Sequence, residues 1–482
     1  MQNAQARPGT FPIMLKTALL LAGSSGAFSL MRFGRNVLLA RLLGVEDFGI
    51  ASTFALIMAL VEMLSDLGLG RFVVQDREGD TPGFVPAIQG LTFARGMALA
   101  VLVFALADPI AAFFGQPELG WAYRILAVLP LLRATGNLDA VRQQRTMRFG
   151  LMIKAEFAGM LASFAALWPL WLWLEDFRVM LGILIVDVVV HVAAGHLLAE
   201  RPYRLGWNGA VAARAMRFGW PLLIGGALTF AVMQGERLIV ANQYTATDLG
   251  LFSAALTLAL APTLVVQRVV NSMFLPLLAR QQDNEREFLQ KAELSLETLL
   301  ASGLGLMLIF VLAGPEVLRL VYGAEFAAAA QLVAILGITF TLRTIRAAPT
   351  NIFLARGRTV TLLIANAVRL LSFPVAYWIA IRGGSMETMA LTGLAGEAAS
   401  LLSAYSFMAV KEGFGPVLAR RSPVYLLAAL LVLLLAAMAA GLVAGPIPVI
   451  AAVLLCIVVV ALCRRFVDYI VSALRKVLAR RR

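Results

Sequence analysis

The stretch Val179-Met180-Leu181-Gly182-Ile183-Leu184-Ile185-Val186-Asp187-Val188-Val189-Val190-His191-Val192-Ala193-Ala194-Gly195-His196-Leu197-Leu198 is almost unbrokenly apolar, and Arg201 and Arg204 follow it at once. A helix of about 20 such residues, rising about 1.5 Å per residue, crosses a hydrocarbon core of roughly 30 Å. Working outward, the same unit of apolar stretch and connecting gap recurs along the whole chain. Spans are predicted near Leu15–Leu43, Phe48–Val73, Phe93–Phe114, Trp121–Ala140, Phe157–Leu174 and Val179–Leu198. A second series runs near Phe218–Ala241, Leu251–Leu278, Leu299–Leu312, Ala327–Phe353, Thr361–Ile381 and Met389–Val410, with two more near Val424–Val443 and Pro448–Leu462. The expected fold is therefore all-α, a polytopic membrane protein of about 14 transmembrane helices.

The gaps orient these spans. Every second gap is basic: Arg142, Arg145, Arg148 and Lys154 in one; Arg201, Arg204, Arg214 and Arg217 in another; Lys411, Arg420 and Arg421 in a third; then the tail from Arg475 to Arg482. The intervening gaps differ, since residues 107–120 carry Asp108 and Glu118 without a cation and residues 445–448 carry no charge. Sorted this way, about 28 of the 41 Lys and Arg side chains lie on one side, about 4 on the other and about 9 inside spans. Cationic loops are poorly translocated, so the chain is expected in a bacterial inner membrane with both termini cytoplasmic.

A chain with 60% hydrophobic and 14% charged residues does not fold around a soluble core with a wet surface. Its net charge of +13 is spread over short loops that hold no duplex, which argues against nucleic acid and for anionic lipid headgroups at the tail. Cys456 and Cys463 sit in or beside the last span without ligand-like neighbours, so neither a disulfide nor a metal is assigned to them. No phosphate-cradling Gly-x-x-x-x-Gly-Lys-Ser/Thr run occurs, and no cofactor is expected. The run Leu15–Leu30 follows only Arg7 and Lys16 and leads straight into Arg32 and Arg35 without an Ala-x-Ala site, so the first helix is expected to be retained.

The chain also repeats itself. Gly34-Arg35-Asn36-Val37-Leu38-Leu39-Ala40 is echoed by Gly235-Glu236-Arg237-Leu238-Ile239-Val240-Ala241, and both runs lead to an Asp-x-Gly turn, Asp47-Phe48-Gly49 and Asp248-Leu249-Gly250. Phe114-Gly115 and Tyr322-Gly323 correspond further on, which places Arg133 near Arg343 in register. Six spans per copy give both copies the same orientation, as in transporters whose halves are related by an axis along the membrane normal. The expected division is residues 1–206 and 207–415 as two six-helix lobes, with 416–482 as two added helices and a basic tail.

Arg41-Leu42-Leu43-Gly44-Val45-Glu46-Asp47-Phe48-Gly49, then Leu64-Ser65-Asp66-Leu67-Gly68-Leu69-Gly70, resembles the opening of bacterial polysaccharide flippases. Leu354-Ala355-Arg356-Gly357-Arg358, set against Gln143-Gln144-Arg145, is similar to the same family, which belongs to the multidrug, oligosaccharidyl-lipid and polysaccharide exporter superfamily. The resemblance covers about the first 410 residues. It implies two six-helix lobes around a central cavity that moves a polyprenyl-diphosphate-linked oligosaccharide between leaflets. Membrane lipids, a polysaccharide polymerase and a chain-length regulator are the partners it implies.

Ionised groups at membrane depth are costly, so they mark function by default. Arg32 with Arg35, and Arg343 with Arg346, are spaced to share a helix face, and Arg133, Arg268 and Arg369 lie in the cytoplasmic half of their spans. Guanidinium forks match phosphate oxygens in pairs, so these seven arginines are the expected diphosphate-binding set, with Arg343 and Arg346 at its centre. Glu62, Asp66, Asp187, His191 and Glu397 are expected counter-charges or ion-coupling groups, with Glu62 and Asp66 one helical turn apart. Glu156 reads as a helix-start charge, and Glu236 with Arg237 as a local pair.

Rival classes fit less well. A polymerase or lipid-linked glycosyltransferase needs a substantial external domain, and every external gap here is short. The second-to-third gap, Gly70-Arg71-Phe72-Val73-Val74-Gln75-Asp76-Arg77-Glu78-Gly79, does not match the major facilitator pattern. A multidrug cation antiporter of the same superfamily is the nearest alternative, but its cavity calls for acids rather than arginines.

Overall fold

The computed structural model describes residues 10–439, together with 441, 454 and 457–459. The predicted fourteenth span, the basic tail and both cysteines lie outside the described residues, apart from those few positions. The described chain is helical without strands. Side chains as apolar as Leu197 and Val410 are 85% and 83% exposed, which fits lipid and not water as the surrounding solvent. Among the described residues, nine helical stretches are long and apolar enough to cross a membrane.

The helices are α1 (Thr10–Ser65), α2 (Leu69–Gln75), α3 (Phe84–Ala105), α4 (Ala107–Phe113), α5 (Gly120–Leu126), α6 (Val128–Ala134), α7 (Asp139–Gln144), α8 (Gly150–Leu174) and α9 (Arg178–Leu197). They continue with α10 (Gly209–Gln243), α11 (Ala246–Ala279), α12 (Glu285–Leu308), α13 (Gly314–Tyr322), α14 (Ala330–Ala355), α15 (Thr359–Leu370), α16 (Ser372–Ile381), α17 (Met386–Lys411) and α18 (Gly415–Ala439). α1 takes in the first predicted span and most of the second, whose end falls in α2, and is kinked at Gly44 (φ 76°), a conformation that costs an L side chain but not glycine. The fourth predicted span is broken into α5 and α6, and the ninth starts early. Asn284 caps α12 by accepting from the Glu287 amide, and Phe288, Ala292, Leu296 and Leu299 bury one face of its polar first half.

The chain forms two compact units, residues 1–234 with 245–250, and 235–244 with 251–482. The first has a core of Leu67, Leu69, Phe72, Phe84, Ile88, Val211 and Ala215. Here α10 lies tight against the end of α1, because a Cβ on Gly219 or Gly226 would fall on the carbonyls of Leu67 and Met63. The two Asp-x-Gly segments, expected as tight bends, are instead helical, one just after the Gly44 kink and one in the first turn of α11, and they interlock in this unit: a Cβ on Gly49 would fall on the carbonyl of Ala246, and one on Gly250 on that of Val45. Only glycine permits such backbone contact.

The second unit is built around α14, of which nearly every residue from Leu332 to Ala355 is buried. Its core joins Phe274, Phe288, Phe353, Met408 and Phe414.

Each unit ties its loops with the same ionic arrangement. In the first, Arg142 binds Asp139 (2.7 Å), Glu200 (3.3 Å) and Asp80 (3.4 Å), so the gap after the fourth predicted span holds those after the second and sixth. Burial pulls the Arg142 pKa down, but hydrogen bonding and charge from Asp139 and Asp80 carry it above its usual value. In the second, Arg356 binds Glu285 (2.8 Å) and the buried Glu412 (3.0 Å), and Arg358 also reaches Glu412 (2.9 Å). The gap after the tenth span thereby holds those after the eighth and twelfth, the corresponding places in the repeat.

Candidate functional site

α1 ends at Ser65, and Asp66, Leu67 and Gly68 interrupt the helix before α2 begins. Gly68 takes a left-handed conformation (φ 60°), and the Asp66 carboxylate closes the turn by accepting the Gly68 amide at 2.8 Å. Breaking the helix leaves carbonyls without intrahelical donors. The Ser65 carbonyl accepts the Leu67 amide at 2.9 Å and a second bond from Nη1 of Arg95 on α3 at 3.0 Å.

A cavity of about 620 Å³ opens beside this break, wholly within the first unit. Its charged lining is Glu62, Asp66, Arg71, Arg95 and Arg133, and its apolar and small lining includes Met58, Leu99, Pro130, Leu222 and Gly226. Gly96 lets α3 approach α6, since a Cβ there would fall on Ala134. Arg133 is paired with Glu62, and Arg71 reaches Asp66 at 3.4 Å.

Arg133 also borders a smaller cavity of about 320 Å³ in the same unit, lined by Arg32, Glu156, Asp187 and His191. Arg32 pairs with Glu156 at 3.2 Å. Arg35 donates to Ser163 at 2.6 Å and lies 3.7 Å from Asp187. The two cavities share one guanidinium.

The second unit holds a different assembly. Glu397 on α17, with no exposed side-chain surface, receives Arg346 (2.8 Å), Arg343 (3.2 Å) and Arg369 (3.1 Å). Arg369 on α15 also pairs with Glu236 at 2.8 Å and donates to the Gly393 carbonyl at 3.0 Å. Asn366 accepts from Arg346, and Arg343 stacks on Phe340. Three guanidiniums and two carboxylates are thus packed together from α10, α14, α15 and α17.

A model of the polysaccharide biosynthesis protein family matches residues 38–331. The chain belongs to that family. It is 23% identical over 336 residues to the teichuronic acid biosynthesis protein TuaB of Bacillus subtilis (strain 168), covering 68% of each chain. It is 24% identical over 254 residues to the lipopolysaccharide biosynthesis protein WzxC of Escherichia coli (strain K12), covering 51% of this chain and 50% of that one. The match therefore spans about half the length of WzxC. Among solved structures, the lipid II flippase MurJ in an inward closed conformation aligns with a TM-score of 0.65 at 15% identity, over 94% of this chain and 100% of that one. That likeness shows a shared fold.

Within this polysaccharide biosynthesis protein the arginines expected to form one diphosphate site belong to both units and differ in their partners. Arg133 and Arg32 line cavities, whereas Arg35 turns to Ser163 and Asp187. Arg343 and Arg346 do share a face of α14, but that face is turned onto Glu397, because a helix buried on all sides offers its cations no solvent. Arg369 joins them, and Arg268 lies exposed on α11 outside the lining of both cavities. Glu62 and Asp66 do not pair with each other along a helix, since α1 ends between them and each takes its own arginine. Asp187 and His191 do line one cavity together. Glu156, read from the sequence as a helix-start charge, pairs with Arg32, and Glu236 reaches Arg369, far from its neighbour in sequence.

Sequence reasoning passed over Arg95. The predicted span starts at Phe93, two residues before Arg95, yet α3 starts at Phe84 and places Arg95 near the middle of a 22-residue helix. The signal was the run Phe84 to Leu91, whose Phe84, Ala87, Ile88 and Leu91 recur at helical spacing ahead of that span.

Proposed function

We propose that this protein is a flippase that moves a polyprenyl-diphosphate-linked oligosaccharide across the bacterial inner membrane by alternating access, for surface polysaccharide synthesis. The observation that carries the reading is a cavity at the broken end of α1 that gathers Arg71, Arg95 and Arg133 in a chain of the polysaccharide biosynthesis protein family. Guanidinium at membrane depth is costly and suits an anionic headgroup. The names of TuaB, WzxC and MurJ, two biosynthesis proteins of surface polymers and one lipid flippase, support the same substrate class. The protein acts as a transporter and not as an enzyme.

In this account the headgroup enters the first unit and the lipid tail stays in the bilayer. The two halves of the repeat alternate between states open to either side of the membrane, and both termini face the cytoplasm. A polysaccharide polymerase and a chain-length regulator take the product. Arg133 and Arg32 keep the binding role read from the sequence, whereas Arg343, Arg346 and Arg369 act through Glu397 and Glu236 to hold the second unit together.

The test is complementation in a strain lacking the native gene, scored by surface polysaccharide and by lipid-linked precursor retained inside. The account expects surface polysaccharide to return and the precursor to fall. Unchanged precursor, together with raised resistance to organic cations, would favour the multidrug antiporter.

A further inference from the structure

The larger cavity of the first unit holds three arginines, and two of them are already matched: Arg133 by Glu62 and Arg71 by Asp66. Arg95 differs. Its Nη1 is committed to the Ser65 carbonyl at 3.0 Å, its Nε is buried without a hydrogen-bond partner, and no carboxylate among the described residues lies within ion-pair distance of it. A buried donor left unmade costs free energy comparable to a lost hydrogen bond, and more when the group is charged. Such a group persists where something else completes it.

We propose that Arg95 is the anchor for the anionic headgroup, taking a lipid diphosphate through the guanidinium donors that the Ser65 carbonyl leaves unmet. This rests on the reading of the chain as a lipid-diphosphate flippase and adds the residue that selects the substrate. Three features fit the role. The Ser65 bond fixes the guanidinium plane, so less rotamer freedom is lost when an anion binds. Arg95 stands near the middle of α3, at the level of the helix break, where a headgroup has left the cytoplasmic interface. Glu62 and Asp66 neutralise the neighbouring arginines, and the Asp66–Arg71 pair at 3.4 Å, exposed on both sides, is the one readily exchanged for a second phosphate. In this account one phosphate goes to Arg95 and the second to Arg71, so a monophosphate forgoes one of the two contacts.

The experiment uses the full chain in lipid nanodiscs and measures binding of polyprenyl diphosphate, polyprenyl monophosphate and inorganic pyrophosphate to wild type, R95Q and R95K. Wild type should prefer polyprenyl diphosphate over the monophosphate, and R95Q should lose about tenfold or more of that affinity, the scale of one hydrogen bond to a charged group. R95K keeps a donor for Ser65 but not the remaining guanidinium donors, so it should fold as wild type does and bind the diphosphate less tightly. If R95Q does not fold, R95K decides the matter. Diphosphate binding by R95K, or by folded R95Q, equal to that of wild type would overturn the role of Arg95 while leaving the flippase reading intact. Failure of wild type itself to bind polyprenyl diphosphate would overturn both. Equal affinity of wild type for free pyrophosphate would reject the lipid as the source of the anion.

Discussion

Arg346 Nε donates to Glu397 Oε1 at 2.8 Å, and Arg343 Nε reaches the other oxygen of that carboxylate at 3.2 Å. Both arginines are more than nine-tenths buried, and Arg369 closes on the same group at 3.1 Å. Removing one partner of a buried ion assembly costs about 3–5 kcal/mol, because the remaining charges lose their compensation. E397Q should therefore lower the thermal midpoint of the purified protein and its membrane abundance. The R343A, R346A double variant should do the same, leaving Glu397 with Arg369 alone. Immunoblots of membranes check this, and wild-type abundance with lost export would instead restore those two residues to the substrate path.

The Arg356–Glu412 pair makes a second prediction. Glu412 has no exposed side-chain surface and serves both Arg356 and Arg358, while Arg356 also lies over the Phe288 ring at 4.4 Å. E412R should destabilise the protein strongly, since it sets three cations together. Adding R356E should recover part of the loss. A melting series of the two singles and the double measures the coupling, and strict additivity would mean that the pair does not interact.

Gly49 and Gly250 supply a third. Each sits where a Cβ would fall on the backbone of the other segment, so G49A and G250A should each cost about 1–3 kcal/mol as overpacked contacts. Separating the segments once relieves both clashes, and the double variant should lose less than the sum of the singles. Thermal unfolding in detergent reads this directly, and neutral single variants would place the segments further apart.

Much of the fold was legible because lipid imposes simple rules. Apolar length and basic alternation pointed to a polytopic helical protein, whereas the contact between the glycines of the two Asp-x-Gly segments came only from the structure. The count of fourteen was less secure: α1 runs through the first connection with one kink, and the polar first half of α12 is helical because its buried face is amphipathic, which a hydropathy window does not register. The partners of the charged side chains were less legible than the fold. Sequence spacing put Arg343 and Arg346 on one face, but only the packing of α14 against α17 reveals that this face meets Glu397. Arg95 was hidden because its helix begins before the apolar run does.

Arg133 joins both cavities of the first unit, which gives a fourth prediction. E62Q removes its carboxylate partner, so the guanidinium should become more available to anions. Binding of polyprenyl diphosphate should be retained or tightened in E62Q and weakened in R133Q, with both variants folded by size exclusion. Weaker binding in E62Q would show that the acid, and not the arginine, makes the contact.

The central claim is transport of a lipid diphosphate, and the direct measurement is its movement between leaflets in proteoliposomes. A polyprenyl-diphosphate-linked oligosaccharide is loaded in one leaflet and its appearance in the other is followed with an impermeant lectin or hydrolase. The account predicts movement that requires the protein and is largely lost in R95Q at equal incorporation. Movement no faster than in empty liposomes, with the wild-type protein folded and inserted, would contradict it.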